Sequence, residues 1–379
     1  MKSKKNKLDY DQYAAFINRK TELNQLRNFI NKEPFEILFL HGPKSSGKTT
    51  LLYKFFDQIQ KEQKMDVKFL NLREKLIVNY KDFIRIFFGI DYSRSKEDVK
   101  EKREYNLFKF FKLSVEVLKG VESGELDPFE IMKRELIKLT GKGIKPVIII
   151  DELQAIDHIY MNNGKERQVI IELFNFFVAM TKESHLAHII IASSDGYFLH
   201  KVYTDSRLKQ TSKFYKVDFL PKEDVMEWLL NLEKYSKIKD YTLTKEDAEK
   251  IWDTVAGSMW EIHDILSDLF DKPIDQVLTL YKKKMKGIIS YYIGADDKKE
   301  KILGLFLETD QATVRDFVDL KIGKDEVDEL MRDMVRNNIL YFDPLEAFYY
   351  PQARSFQWGI RLYFESLIKQ KKKKQKKTP

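Results

Sequence analysis

Cysteine is absent from this chain of 379 residues, which excludes disulfides, thiol catalysis and thiolate metal sites. Long apolar runs are also missing, because the longest ones, FEILFL and PVIIID, are far too short to span a membrane. The charged start MKSKKNK is not followed by the apolar stretch of a secretory signal. The six histidines show no metal-ligand spacing with acidic residues. We therefore expect a cytoplasmic protein that has no membrane partner.

The excess of basic residues is confined to the two ends of the chain. The net charge is +8, yet KQKKKKQKK (369–377) holds seven lysines and KSKKNK (2–7) holds four. Removing these eleven lysines from the net charge leaves −3, so the rest of the chain is nearly neutral. We expect residues 1–15 to form a flexible basic arm. Residues 369–379 carry too many like charges to fold and should form a mobile, lysine-rich tail, which either aids solubility or binds nucleic acid without sequence preference.

Five short apolar runs alternate with helical patterns over the first 220 residues. The predicted strands are PFEILFLH, VKFLNL, PVIIID, HIIIAS and KFYKVDF. Alternating strands and helices indicate an α/β fold, and strands this apolar indicate a parallel sheet with helices on both faces. The stretch from about 80 to 143 is too long for a loop, so we interpret it as a helical insertion into a core spanning 16–220.

No strand pattern follows Pro221 for more than a hundred residues. Several segments with helical periodicity predict a helical lid domain over residues 221–293. Residues 294–368 then contain three helical segments and an aromatic hairpin that turns at DPLEA. This order is typical of a winged helix.

The segment HGPKSSGKTT lies between the first predicted strand and a helix, and it fits the pattern G-x-x-x-x-G-K-[ST]. Its glycines let backbone N–H groups surround phosphates, and the following helix contributes its positive end. Lys48 should reach the phosphates, and the Thr49 hydroxyl should hold Mg²⁺. The predicted cofactors are therefore ATP and Mg²⁺. The loop residues predicted to bind the nucleotide are Gly42, Pro43, Lys44, Ser45, Ser46, Gly47, Lys48, Thr49 and Thr50.

Two carboxylates end the third predicted strand, in PVIIIDELQAI. Asp151 fits the aspartate that holds Mg²⁺, and Glu152 fits the base that orients the attacking water. Ser193 and Ser194 end the next strand, where a hydroxyl could touch the terminal phosphate or the water; a plain strand-to-loop turn is equally consistent. Arg207, in YTDSRLKQ, is a candidate arginine finger acting on a neighbouring subunit, or else a surface arginine.

In this order the motifs resemble the archaeal ATPases of the AAA+/STAND type, which are related to the origin-recognition and Cdc6 proteins. FINRKTELNQL is similar to the family's N-terminal box, and the resemblance puts Phe16, Ile17 and Arg19 near the adenine pocket. It covers about residues 16–270 and implies an ATPase with a C-terminal winged helix. The lid segment VAGSMWEIHDIL departs from the family pattern, since Gly257 is followed by neither proline nor arginine. No lid sensor is therefore assigned, and turnover is expected to be slow or partner-dependent.

Three functions remain open: a nucleic-acid-dependent ATPase, a regulatory switch that binds a protein, and a metabolic kinase. A kinase has no obvious use for the long lid and the winged helix. Residues 296–368 hold ten Lys or Arg against fifteen Asp or Glu, and an acidic surface is repelled by DNA phosphates. The winged helix is thus better suited to a protein partner, and an arginine finger at Arg207 would imply a homo-oligomer.

Overall fold

The computed structural model describes residues 16–62, 64–90, 111–161, 167–205, 208–236, 238 and 241–375. The expected basic arm over residues 1–15 lies outside these ranges, as do Arg207 and residues 376–379. The arm and the arginine finger therefore stay predictions.

Within these ranges the chain forms strands from Ile37 to Pro351. They are β1 (Ile37–His41), β2 (Met65–Asn71), β3 (Phe88–Ile90), β4 (Phe111–Leu113), β5 (Lys145–Asp151), β6 (Tyr160–Met161), β7 (Arg167–Gln168), β8 (His188–Ala192), β9 (Ser212–Lys216), β10 (Leu340–Asp343) and β11 (Phe348–Pro351). All five predicted strands are present, as β1, β2, β5, β8 and β9.

Helices connect and follow these strands. They are α1 (Lys20–Asn31), α2 (Lys48–Ile59), α3 (Tyr80–Phe87), α4 (Val115–Ser123), α5 (Pro128–Gly141), α6 (Val169–Val178), α7 (Gly196–Thr204), α8 (Lys222–Leu230), α9 (Leu232–Ser236), α10 (Lys245–Val255), α11 (Met259–Asp268), α12 (Ile274–Ile293), α13 (Asp297–Leu305), α14 (Val314–Val318), α15 (Lys324–Arg336) and α16 (Arg354–Gln375).

The central sheet is parallel, with the strand order β2-β5-β8-β1-β9. Successive side chains of a strand point to opposite faces, and both faces of this sheet are covered. Ile148 and Ile150 of β5 pack into a core on one face, while Ile149 packs with α1 and α2 on the other. Because each face is buried, the strands have continuous apolar sequences, and their carboxyl ends meet at one edge.

The stretch expected to be a helical insertion contains α3, α4 and α5, together with the short parallel pair β3 and β4. Beyond the sheet, α8 to α12 pack around an apolar core that includes the buried Trp228. These five helices occupy the stretch predicted to be the lid. The exact domain boundaries stay predictions.

The C-terminal unit places α13, α14 and α15 before the hairpin of β10 and β11, and Ala312 pairs with Tyr349 in an isolated bridge. Sequence reasoning missed α16, which packs along α12. The two helices lie close together at Gly359, where a Cβ would be 2.9 Å from the backbone of Met285. The helix continues through Gln375, so the expectation that the like charges of the lysine tail keep it from folding is wrong for residues 369–375. The first residues of the tail are helical because they extend a helix that packing already stabilises.

Candidate active site

The loop between β1 and α2 wraps around a buried lysine. Gly42, Ser45 and Gly47 have positive φ angles of 146°, 68° and 90°. A Cβ at Gly42 would lie 2.1 Å from a backbone carbonyl oxygen that follows β9, so only glycine fits there. Lys48 begins α2, and its Nζ donates to the carbonyl oxygens of Gly42 at 2.9 Å and Pro43 at 2.8 Å. Burial lowers the pKa of Lys48 to about 8. The loop backbone therefore surrounds the ammonium group of Lys48 at the N-terminus of α2.

Thr49 and Asp151 meet beside this lysine, at the carboxyl edge of the sheet. The Thr49 hydroxyl donates to Asp151 Oδ2 at 2.6 Å. Asp151 is buried, and its Oδ1 has no hydrogen-bond partner within the part of the chain that the structure describes. Burial raises the pKa of Asp151 to about 6. A hydroxyl and a carboxylate with a free buried oxygen are suitable ligands for a hard cation such as Mg²⁺.

Glu152 follows in an unusual backbone conformation. Its φ is 62°, in the left-handed region that few non-glycine residues adopt, and such strain is concentrated at functional sites. Its carboxylate is buried and held from several sides: Oε1 accepts from Arg73 Nη2 at 2.5 Å and from Ser194 Oγ at 3.5 Å, and Oε2 accepts from Gln154 Nε2. The left-handed turn thus directs a second carboxylate toward the same edge of the sheet.

The two candidate serines have different surroundings. Ser193 is fully buried; its hydroxyl donates to Gln154 Oε1 at 2.9 Å and accepts from the Asp195 N–H at 3.0 Å. Ser194 is only partly buried and lies beside Glu152. The geometry therefore brings Ser194 to the candidate base, while Ser193 orders the loop that leads into α7.

Arg73 is a site residue that sequence reasoning missed. It lies just beyond β2, which neighbours β5 in the sheet, and Asn71 is paired in register with Asp151. The only sequence signal is a charged residue directly after a strand. Its relevance depends on β2 being adjacent to β5, and the strand order is not readable from the local sequence.

The N-terminal box contacts the phosphate loop at Ser46. Arg19 is buried, and its Nη2 donates to the carbonyl oxygens of Ser46 at 2.8 Å and Asp218 at 2.7 Å. Ile17 is buried in the core of the lid helices together with Met259. The Met259 sulfur lies 3.3 Å from where a Cβ of Gly47 would be. Arg19 thus braces the phosphate loop, and an apolar surface lies next to it.

Among the residues that the structure describes, no group of three or more His, Cys, Asp or Glu side chains could hold a metal ion. No helix that the structure describes is long and apolar enough to cross a bilayer.

The fold and this geometry agree with comparisons to known proteins. Residues 16–265 match the family described as an ATPase domain found predominantly in Archaea, and the chain belongs to that family. An uncharacterized ATP-binding protein of Methanocaldococcus jannaschii is 30% identical over 364 residues, covering 93% of this chain and 96% of the relative. One of Pyrococcus abyssi is 30% identical over 357 residues, covering 93% and 98%.

Solved structures show the same fold. A Walker-type ATPase of Pyrococcus abyssi superimposes with a TM-score of 0.62 at 16% identity, covering 91% of this chain and 96% of the other. The ORC2 protein of Aeropyrum pernix gives 0.51 at 11% identity, covering 95% and 98%. The predicted α/β P-loop NTPase core and the resemblance to archaeal ATPases are confirmed. The winged-helix assignment stays a prediction.

Proposed function

We propose that this protein hydrolyses ATP with Mg²⁺ and couples its nucleotide state to a macromolecular partner. The observation that supports this most is the convergence of Lys48, Thr49, Asp151 and Glu152 at one edge of the sheet, although the two pairs are about a hundred positions apart in sequence. Membership of an ATPase family agrees with it.

In this proposal each group of residues has a separate chemical role. The loop N–H groups and Lys48 bind the phosphates, and Thr49 with the free Asp151 oxygen holds Mg²⁺, which would offset phosphate charge. Glu152 orients the attacking water. Arg73 and Ser194 position the Glu152 carboxylate.

Replacing the loop lysine tests nucleotide binding. Lys48→Ala should abolish Mg-ATP binding in calorimetry, because it removes the ammonium that meets the phosphates. Lys61→Ala removes the same charge from an exposed residue just beyond α2 and is the matched control. Undiminished affinity in the Lys48 variant would overturn the proposal.

A second candidate function is a nucleotide-controlled switch that binds a protein partner. A contact between the C-terminal hairpin and the end of β1, next to the phosphate loop, favours it: His41 Nδ1 lies 3.2 Å from the Tyr341 hydroxyl. The acidic composition of residues 296–368 agrees, since α15 alone contains Asp325, Glu326, Asp328, Glu329 and Asp333. Such a helix does not suit a DNA groove.

Hydrolysis rates separate these two candidates. A DNA-coupled ATPase should be stimulated by duplex DNA at low salt, whereas the protein-binding switch should not respond. Removing residues 369–379 is the control for non-specific DNA binding by the lysine tail. This truncation should weaken DNA binding without changing the hydrolysis rate measured in the absence of DNA. Arg207 and a homo-oligomer remain part of the proposal; mixing Arg207→Ala with Lys48→Ala should partly restore activity if the finger acts between subunits.

A further inference from the structure

Packing of α12 against α16 joins two basic segments that are far apart in sequence. Helix α12 contains the run KKKMK (282–286), and α16 ends in the lysine-rich segment that begins at Lys369. Gly359 of α16 lies against the backbone of α12, and one residue earlier the Trp358 ring centre lies 3.8 Å from Lys282 Nζ. The lysine run of α12 therefore begins directly beside α16.

Helical spacing places further cations on the side of both helices that contains Trp358. Residues three, four or seven positions apart lie on one side of a helix. Lys286 follows Lys282 by one turn, and exposed basic residues of α16 occur at this spacing before and after Trp358. We call this surface the α12–α16 face; its cations are Lys282, Lys286, Arg354, Arg361, Lys369 and Lys372. It also carries Glu365, and Asp253 of α10 borders it at Trp358.

Two tryptophans hold cations of this face in place. Besides Lys282, the Trp358 ring has Arg361 Cζ at 5.7 Å from its centre, and its Nε1 donates to the Asp253 carbonyl oxygen at 2.8 Å. Arg354 Cζ lies 5.5 Å from the centre of the Trp252 ring. Such contacts attract cations to the ring, and cations that are already positioned lose less freedom when they bind a ligand.

The same contacts decide which part of a nucleic acid this face suits. Proteins that bind single strands stack unpaired bases on open aromatic rings. The Trp358 ring is covered by Lys282 and is therefore a poor platform for a base. What the face offers instead is a set of cations for phosphates.

The length of the face matches a duplex. From Arg354 to Lys372, α16 rises by about 27 Å at about 1.5 Å per residue. One turn of duplex DNA is about 34 Å long, and the duplex carries a negative charge about every 1.7 Å along its axis. A single strand carries fewer charges over the same length and gives a smaller gain from counterion release.

The acidic residues of the C-terminal unit belong in part to a different surface. Asp333 of α15 accepts from the Tyr292 hydroxyl at 2.6 Å and from Lys299 Nζ at 3.0 Å. On the helical wheel of α12, Tyr292 lies on another side than Lys282 and Lys286. The acidic composition of residues 296–368 therefore does not describe the α12–α16 face.

We propose that the α12–α16 face binds the sugar-phosphate backbone of duplex DNA without sequence preference. The lysine-rich end of α16 is one part of this face, and Lys282, Lys286, Arg354 and Arg361 on the packed helices are the other. As the macromolecular partner of the ATPase, the duplex rests on the proposed function. Binding itself requires no hydrolysis, so the two can be tested apart.

A triple variant tests the packed part of the face while the lysine-rich end stays intact. Lys282→Gln, Lys286→Gln and Arg361→Gln together remove three cations from exposed or partly exposed positions. Fluorescence anisotropy without nucleotide, on a duplex of about 25 base pairs at about 50 to 200 mM salt, should show binding at least about tenfold weaker at low salt. The magnitude of the salt slope should fall by about two to three, the value for three lost phosphate contacts.

The matched control removes three lysines from another part of the molecule. Lys119→Gln, Lys133→Gln and Lys142→Gln make the same change in net charge at exposed positions on or next to α4 and α5. Duplex affinity of this control should change less than about threefold, because its charges are not on the face. Equal weakening in both triple variants would show a net-charge effect and overturn the inference.

A variant with the opposite sign excludes damage to the fold as an explanation. Glu365→Gln removes a negative charge from the face and should tighten duplex binding by about two- to fivefold. Its control is Glu130→Gln on α5, which should leave the affinity unchanged. A single strand of the same length should bind the wild-type protein more weakly than the duplex.

Several results would contradict the proposed binding. Unchanged affinity and salt slope in the triple variant, with loss of binding on removing residues 369–379, would assign all binding to the tail. Displacement of the duplex by polyglutamate at equal charge would assign the face to an acidic protein. A wild-type protein that hydrolyses ATP but does not bind the duplex would overturn this inference alone. One that binds the duplex but does not hydrolyse ATP, with or without it, would overturn the proposed ATPase and leave the face intact.

Discussion

The two sides of the nucleotide site are built from different chemistry. The lid side consists of Ile17, Leu220 and Met259, all buried in the apolar core of α8–α12. The hairpin side consists of His41, Lys216, Asp343 and Gln352, which are joined to the loop or the hairpin by hydrogen bonds and an ion pair. Both sides approach the same loop, one near Gly47 and the other near Lys44.

This difference predicts different responses to substitution. Apolar contacts are non-directional and scale with area, so the packing on the lid side should depend on the size of its side chains. Buried polar pairs are costly to leave unsatisfied, so the hairpin side should depend on each individual pairing of polar atoms.

The largest effect is expected from Glu152→Gln. Because hydrolysis is blocked, ATP should stay bound long enough to compare the lid side and the hairpin side of the site. Loss of the base should slow hydrolysis by about 10²- to 10⁴-fold, with ATP binding retained. Hydrogen exchange with ATP bound should then show β10 and β11 losing protection while α10 and α11 keep theirs. Glu130→Gln, an exposed change on α5, is the control. Wild-type turnover in the Glu152 variant would rule out its assignment as the base.

Two glycine variants introduce steric overlap, one on each side of the site. At Gly257 a Cβ would lie 1.9 Å from the Leu220 carbonyl oxygen, and at Gly196 it would lie 2.3 Å from that of Phe342. Gly257→Ala should cost about 1–3 kcal/mol or more of unfolding free energy, since the lid side has to deform. Gly196→Ala should cost less, because the hairpin can move away.

Thermal unfolding measures both outcomes. Gly287→Ala is the control: nothing outside its own stretch of helix lies within 4 Å of a Cβ there, and alanine at this exposed position of α12 should be neutral or stabilising by up to about 1 kcal/mol. Equal destabilisation by both test variants would show that the two sides do not differ in mobility.

The most gradual effect concerns pH. Burial lowers the pKa of His41, on the hairpin side, and of His188, in β8, from 6.5 to about 4. Between these values the unfolded chain takes up protons that the folded protein does not, so stability should fall as pH drops from about 6.5 to about 4, by about 1.4 kcal/mol per histidine and pH unit at most. Urea unfolding across this window measures the slope.

Glutamine variants assign this slope to the two rings. His41→Gln with His188→Gln should flatten it, whereas His158→Gln, at an exposed position, should not. An unaltered slope in the double variant would mean that other groups cause the acid sensitivity.

Local pattern was sufficient for much of this protein. The five strands were predictable because helices cover both faces of the sheet, so each strand reads as an unbroken apolar run. The loop from Gly42 to Thr50 was predictable because glycine spacing and a following helix define its backbone. Asp151 and Glu152 stood out because carboxylates rarely end a buried strand. Helix α16 was missed although Phe356, Ile360, Tyr363 and Leu367 recur at helical spacing.

The amino-acid sequence by itself therefore determined the class of sheet, the phosphate loop and the carboxylates that face it, since each depends on neighbours along the chain. Only the tertiary structure decided which side chains surround them. Strand order brings Arg73 to Glu152, and packing of the C-terminal unit brings Tyr341 to His41 across 300 positions. Gln352 meets Lys44 for the same reason. Contacts between distant residues depend on how whole elements pack, and no local spacing or periodicity encodes that arrangement.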